Sequence, residues 1–207
     1  LIAEALDVEG AAARDVEHAL AQLRRARLCV GAADVGVALL GRGQWAAALG
    51  TCCGHDEFAF GTVAQLDDTV DEVVLGGSGP SFCSGGDLAE FGTFADPASA
   101  HLARTRHSPA LALDALTRRL GRRCRAEIHG RVLGSGLEMA AFCGWVSCHP
   151  DAVLGLPELA LGLIPGAGGT LSVTRRIGRW RTAYLVLSGR TVDPVTALDW
   201  GLVDELL

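Results

Sequence analysis

Two rhythms of apolar and polar positions run along the 207 residues. Apolar residues recur at three- and four-residue spacing in 1–28, as at Val16, Leu20 and Leu23, which predicts helix with a break near Gly10. Residues 35–40 predict a strand closed by Gly41 and Gly43, whereas 44–60 carry conflicting signals and yield no assignment. The β-branched run at 70–75 predicts a second strand, ending in the turn residues Gly76-Gly77-Ser78-Gly79-Pro80. A helical pattern covers 97–125, then a short strand 127–133, a buried helix 136–144 and a buried strand 145–148. Beyond that, the alternation continues less regularly through 184–187 and the final segment from Pro194. Strands alternating with helices indicate an α/β protein.

Charge is missing from two stretches. In 132–148 the one charged residue is Glu138, and in 152–171 it is Glu158. With 20% of the chain charged, windows of that length are expected to hold roughly three and four charges. Each stretch therefore predicts a core segment holding a single carboxylate with no basic residue nearby in sequence. Burial of an ionised carboxylate without a partner costs several kcal/mol and raises its pKa. One such residue is expected to turn to water. Two in succession, each beside a glycine-rich loop, predict a site that moves protons.

Gly134-Ser135-Gly136 leads directly into the apolar helix that carries Glu138, and Ser84-Gly85-Gly86-Asp87 follows the strand at 70–75. Small residues let a ligand approach the backbone, and the first N–H groups of a helix lack intrahelical acceptors. Donors from the two loops converging on one oxygen would form an oxyanion hole.

Composition narrows the chemistry. The net charge of −6 disfavours a nucleic-acid partner, which needs a basic surface. All eighteen basic residues are arginine, so a P-loop lysine, a lysine Schiff base and a Ser-Lys dyad are excluded. Seven irregularly spaced cysteines suit reduced thiols in a cytoplasmic protein. Cys52-Cys53-Gly54-His55 has no second ligand pair at a metal-binding spacing, so no metal is expected. No apolar run is long enough to span a membrane. The chain begins at Leu1 and is read as a piece of a longer protein. Neither Ser84 nor Ser135 sits in a G-x-S-x-G elbow, and no stretch satisfies G-x-G-x-x-G. His129 reads as a structural residue at a strand end, and the arginines of 118–125 as a solvated face.

Four motifs in order resemble the enoyl-CoA hydratase/isomerase, or crotonase, family. They are Phe82-Cys83-Ser84-Gly85-Gly86-Asp87-Leu88 after Val73-Val74-Leu75; His129-Gly130 with Val132 to Glu138; Leu156-Pro157-Glu158 with Gly162 to Thr170; and Gly201-Leu202-Val203-Asp204-Glu205. The resemblance spans roughly 60–207. It implies a spiral of repeated β-β-α units for 59–190, after an atypical helical or irregular segment 1–58, with a truncated carboxy-terminal helical region beginning at 191–207. It assigns the oxyanion-hole N–H groups to Gly86 and Ser135, the catalytic carboxylates to Glu138 and Glu158, and further substrate contacts to Ser84, Gly85, Asp87, Leu88 and Gly134. Three departures stand out. Ser135 replaces the usual glycine, Gly144 replaces an acidic residue after Cys143, and the usual amino-terminal strand and Asn-Ala loop are not recognisable in 1–60.

The implied activity is hydration of a 2-enoyl-CoA thioester, with coenzyme A as part of the substrate and no separate cofactor. A double-bond isomerase or a non-catalytic acyl-CoA-binding subunit is the alternative. The resemblance further implies a homotrimer or a dimer of trimers.

Overall fold

The computed structural model describes residues 34–41, 44–49, 72–86, 88, 92–106 and 109–207. The helix expected at 1–28 and the Cys52-Cys53-Gly54-His55 segment lie outside these residues. Six strands form the main sheet, in the order β2-β1-β3-β4-β6-β9. They are β1 (Asp34–Gly41), β2 (Gln44–Leu49), β3 (Glu72–Ser78), β4 (Cys124–Ile128), β6 (Trp145–Cys148) and β9 (Glu205–Leu206). β1 pairs antiparallel with β2 and β3, while β3, β4, β6 and β9 run parallel. A second sheet, in the order β5-β7-β8, joins β5 (Arg131–Leu133), β7 (Val153–Gly155) and β8 (Thr191–Val192).

The chain steps from one sheet to the other and then into a helix, three times over. After β3, Cys83 bridges to Val132 of the second sheet, and α1 (Pro97–Arg106) and α2 (Pro109–Leu120) follow. β4 turns at Gly130 into β5 and then α3 (Ser135–Ala140). β6 leads to β7, a 3-10 turn (Glu158–Leu161) and α4 (Gly169–Ser188). This is the repeated β-β-α plan that the family resemblance implies. α5 (Pro194–Trp200) closes the described chain before β9.

Several boundaries differ from the sequence expectation. The helix expected over 97–125 is two helices: Pro109 opens the second, because proline has no N–H to donate and is accommodated in a helix's first turn. That helix ends at Leu120, and Cys124 already belongs to β4. The strand expected at 127–133 is the end of β4 and all of β5, divided at Gly130. There φ is +55° and a Cβ would lie 2.1 Å from the Pro80 carbonyl oxygen. β3 continues through Gly76 and Gly77 instead of turning there. Residues 44–60, unassigned from sequence, contain β2, so a β1–β2 hairpin joins the main sheet from within the segment read as helical or irregular. Residues 184–187 lie in α4, which breaks at Gly178 (φ 77°, ψ 164°).

Apolar periodicity explains the packing. On β4, Cys124, Ala126 and Ile128 face inward while Arg125 and Glu127 face out. On α2, Ala110, Leu113, Leu116 and Leu120 form the buried stripe. These join Phe82, Leu137, Met139, Leu154 and Leu185 in one core. The four described cysteines, Cys83, Cys124, Cys143 and Cys148, are buried. Gly144 has a steric reason: its Cβ would fall 2.1 Å from the Gly121 carbonyl oxygen, so no side chain fits there.

Candidate functional site

Glu138 lies in the first turn of α3 and is 1% exposed. Among the described residues its charge has no cationic partner; backbone donors serve instead. Oε1 accepts from the Gly169 N–H at 2.8 Å and Oε2 from the Ala167 N–H at 2.9 Å. The Ser172 hydroxyl also donates to the Glu138 carbonyl at 2.8 Å, holding the start of α4 against α3. A Cβ at Gly169 would lie 2.5 Å from Glu138 Cγ, so this close wrap requires glycine. Burial dominates the carboxyl's titration and, with the nearby Glu158 charge, pushes its pKa up to about 7 against the two N–H bonds.

Arg176 braces the far end of α3. Its guanidinium donates to the carbonyls of Ala141 and Cys143 and pairs with Asp204 at 2.9 Å, whose carboxylate also accepts from the Val146 N–H. One half-buried charge thus ties the end of α3, α4 and the carboxy-terminal segment together.

Glu158 opens the 3-10 turn after Pro157. Its Oε1 lies 3.0 Å from where a Cβ on Gly134 would stand, in the space that residue leaves open with φ at +54°. Its Oε2 is buried without a hydrogen bond to the protein, and burial raises its pKa as well. Glu138 and Glu158 thus come from separate β-β-α units and interact electrostatically across the site.

The two glycine loops meet here. A Cβ on Gly134 would be 3.6 Å from Gly85 Cα, and one on Gly85 would be 3.5 Å from the Leu133 carbonyl. Backbone bonds from Cys83 to Arg131 and from Leu133 to Cys83 fix the loops' register. Gly86 and Ser135 each adjoin this contact, and Ser135 Oγ is buried without a protein partner. Ser84 and Leu88 are exposed, and Asp87 lies outside the described residues. The sequence reading did not anticipate Ala167 and Gly169 as donors. The signal present was the small-residue run Gly166 to Gly169 inside the window whose one charged residue is Glu158.

A separate concavity of about 600 Å³ lies at the ends of β3, β4 and β6, lined by Gly76, Glu127, His129, His149 and Asp151 among others. His129 Nε2 meets the Gly79 carbonyl at 3.1 Å, in keeping with its structural reading. No group of three or more His, Cys, Asp or Glu side chains among the described residues could hold a metal ion. No described helix is long and apolar enough to cross a membrane.

Comparison with known proteins agrees with this architecture. Residues 57–207 match the family model described as enoyl-CoA hydratase/isomerase. Over 123 residues the chain is 39% identical to an Arabidopsis thaliana protein described as probable enoyl-CoA hydratase 2, mitochondrial, covering 59% of this chain and 40% of the relative. Over 143 residues it is 33% identical to the 2,3-dehydroadipyl-CoA hydratase of Escherichia coli, covering 69% of this chain and 54% of the relative. The chain thus spans about half the length of these curated relatives. The crystal structure of enoyl-CoA hydratase from Thermoplasma volcanium aligns with a TM-score of 0.57 at 33% identity, over 70% of this chain and 57% of that one. The fold is that of the crotonases, and the chain belongs to the enoyl-CoA hydratase/isomerase family.

Proposed function

We propose that this protein adds water across the double bond of a 2-enoyl-CoA thioester. The observation that carries the reading is a buried glutamate, Glu138, facing a half-buried one, Glu158, each with its pKa raised by burial, beside two abutting glycine loops. Carboxyls whose proton affinity is raised toward neutrality suit an acid/base cycle, in which one gives up a proton and the other takes one. The N–H groups of Gly86 and Ser135 take the thioester oxygen as it gains enolate charge. Glu138 orients and deprotonates the water that attacks the β-carbon, and Glu158 delivers a proton to the α-carbon. One water is consumed: its oxygen forms the new C–O bond, and its proton replaces the one given up, so the pair ends with the proton count it began with. Ser84, Gly85, Asp87, Leu88 and Gly134 are proposed substrate contacts. The assembly is proposed to be a homotrimer or a dimer of trimers that needs no cofactor beyond the substrate's own coenzyme A.

One observation favours a second reading. Both Glu138 oxygens are held by backbone donors, whereas Glu158 keeps one oxygen without a partner. A single free carboxylate suffices to shuttle a proton in a double-bond isomerase. Crotonyl-CoA and a 3-enoyl-CoA separate the two. A hydratase removes the conjugated thioester absorbance of the first; an isomerase generates that absorbance from the second. A protein that binds both thioesters and changes neither is an acyl-CoA-binding subunit.

A further inference from the structure

We infer that the Ser135 hydroxyl is a third hydrogen-bond donor to the thioester oxygen, and so a catalytic group that the family's usual glycine cannot supply. The inference rests on the thioester-binding reading above. Among the described residues, the buried side-chain polar atoms without a protein partner are Ser135 Oγ and Glu158 Oε2, and both belong to this site. Leaving a buried hydroxyl unpaired costs free energy, so native structures rarely do it without a reason.

Other hydroxyls in this fold find acceptors. Thr182 bonds back to the Gly178 carbonyl at 2.9 Å, Thr117 donates to the Phe142 carbonyl at 2.8 Å, and Ser172 serves the Glu138 carbonyl. Ser135 heads α3, so no helical turn precedes it to offer a carbonyl. Nearby backbone carbonyls serve backbone donors, that of Cys83 to Leu133 and that of Gly134 to Glu138, and no acceptor among the described residues stands within hydrogen-bond reach of the hydroxyl. The hydroxyl is therefore left for a ligand.

Covalent geometry says which ligand atom. In any staggered rotamer the N and Oγ of one serine are only about 3 to 4 Å apart. In a rotamer gauche to the nitrogen, an oxygen that meets the Ser135 N–H is within reach of its hydroxyl too. A developing enolate accepts several donors, and a hydroxyl supplies one without adding charge. Sequence alone treats Ser135→Gly as nearly silent, because the N–H survives; the buried, unpaired hydroxyl reverses that expectation.

The test uses 4-dimethylaminocinnamoyl-CoA, a conjugated thioester whose absorption moves to the red as its carbonyl is polarised, together with turnover of crotonyl-CoA. The native protein is expected to shift the probe to the red. Ser135→Ala and Ser135→Gly should bind it with a smaller shift, and their kcat should fall on the order of 10- to 100-fold with little change in KM. Ser135→Thr, which keeps a hydroxyl, should recover both. Folding of each variant is checked by circular dichroism, and either the alanine or the glycine variant alone suffices to read the outcome. A full native red shift in the folded Ala or Gly variant overturns the proposal, even if turnover falls, because the hydroxyl is then acting elsewhere. A native protein that leaves the probe unshifted overturns the thioester-binding reading itself, and this proposal with it.

Discussion

Two places in this fold gather acidic side chains near other titratable groups, and they have little else in common. At the ends of β4 and β6, Glu127 faces His149 across 3.2 Å, with the two side chains 55% and 41% exposed. His129 stands edge-on to His149 with ring centroids 6.0 Å apart. Water solvates every charge there, and the pair can part at little cost. Between α3 and the 3-10 turn, Glu138 is withdrawn from solvent and held by backbone amides, while Glu158 is half-buried beside Gly134 with one oxygen unpartnered; neither meets a counter-charge among the described residues. The histidine corner is an open concavity, whereas burial raises the proton affinities of both glutamates at the other site. Desolvation, more than the number of titratable groups, separates the two.

That contrast breaks most readily at Glu158. Glu158→Gln should lower kcat by about 100- to 10,000-fold, the usual worth of a general acid or base, with a smaller effect on KM. Steady-state kinetics on crotonyl-CoA would measure it, and a kcat within threefold of native would remove Glu158 from the proton path. Next is Ser135→Pro, which deletes the backbone donor together with the hydroxyl and should cost at least on the order of 100- to 1000-fold in a variant shown to be folded.

Stability effects are smaller. Gly169→Ala drives a Cβ into Glu138 Cγ and Oε1, so urea denaturation should show a loss of about 1–3 kcal/mol, along with reduced turnover. The pH dependence has a definite sign. Burial raises the Glu138 pKa from its ordinary 4.5 to about 7, so the folded protein binds more protons than the unfolded chain between those values. Stability should therefore fall as pH rises from about 4.5 to 7 and level off above. A urea midpoint that climbs across that window would show that Glu138 does not carry the raised pKa. At the histidine corner, Glu127→Gln should change stability by no more than about 0.5 kcal/mol and leave turnover intact. A large loss of activity there would erase the distinction between the two regions.

The sequence by itself placed both glutamates in dry segments, because a lone charge in a long apolar window stands out. It located both glycine loops, the strand at Trp145–Cys148 and the alternation that makes an α/β fold. It misjudged where elements end. Pro109 divides a helix whose apolar pattern runs on, and Gly76 and Gly77 read as a turn although β3 continues through them. The pairing of Glu138 with the Ala167 and Gly169 amides joins residues about thirty positions apart. No local pattern encodes it, since backbone donors carry no side-chain signature. Nor could sequence show that Ser135 Oγ lacks a partner: that depends on which carbonyls the surrounding strands have already engaged. Local propensity and charge patterning determined which residues would be buried. Only tertiary packing decided which of their polar atoms would be satisfied by the protein and which, such as Ser135 Oγ and Glu158 Oε2, were left without a partner among the described residues.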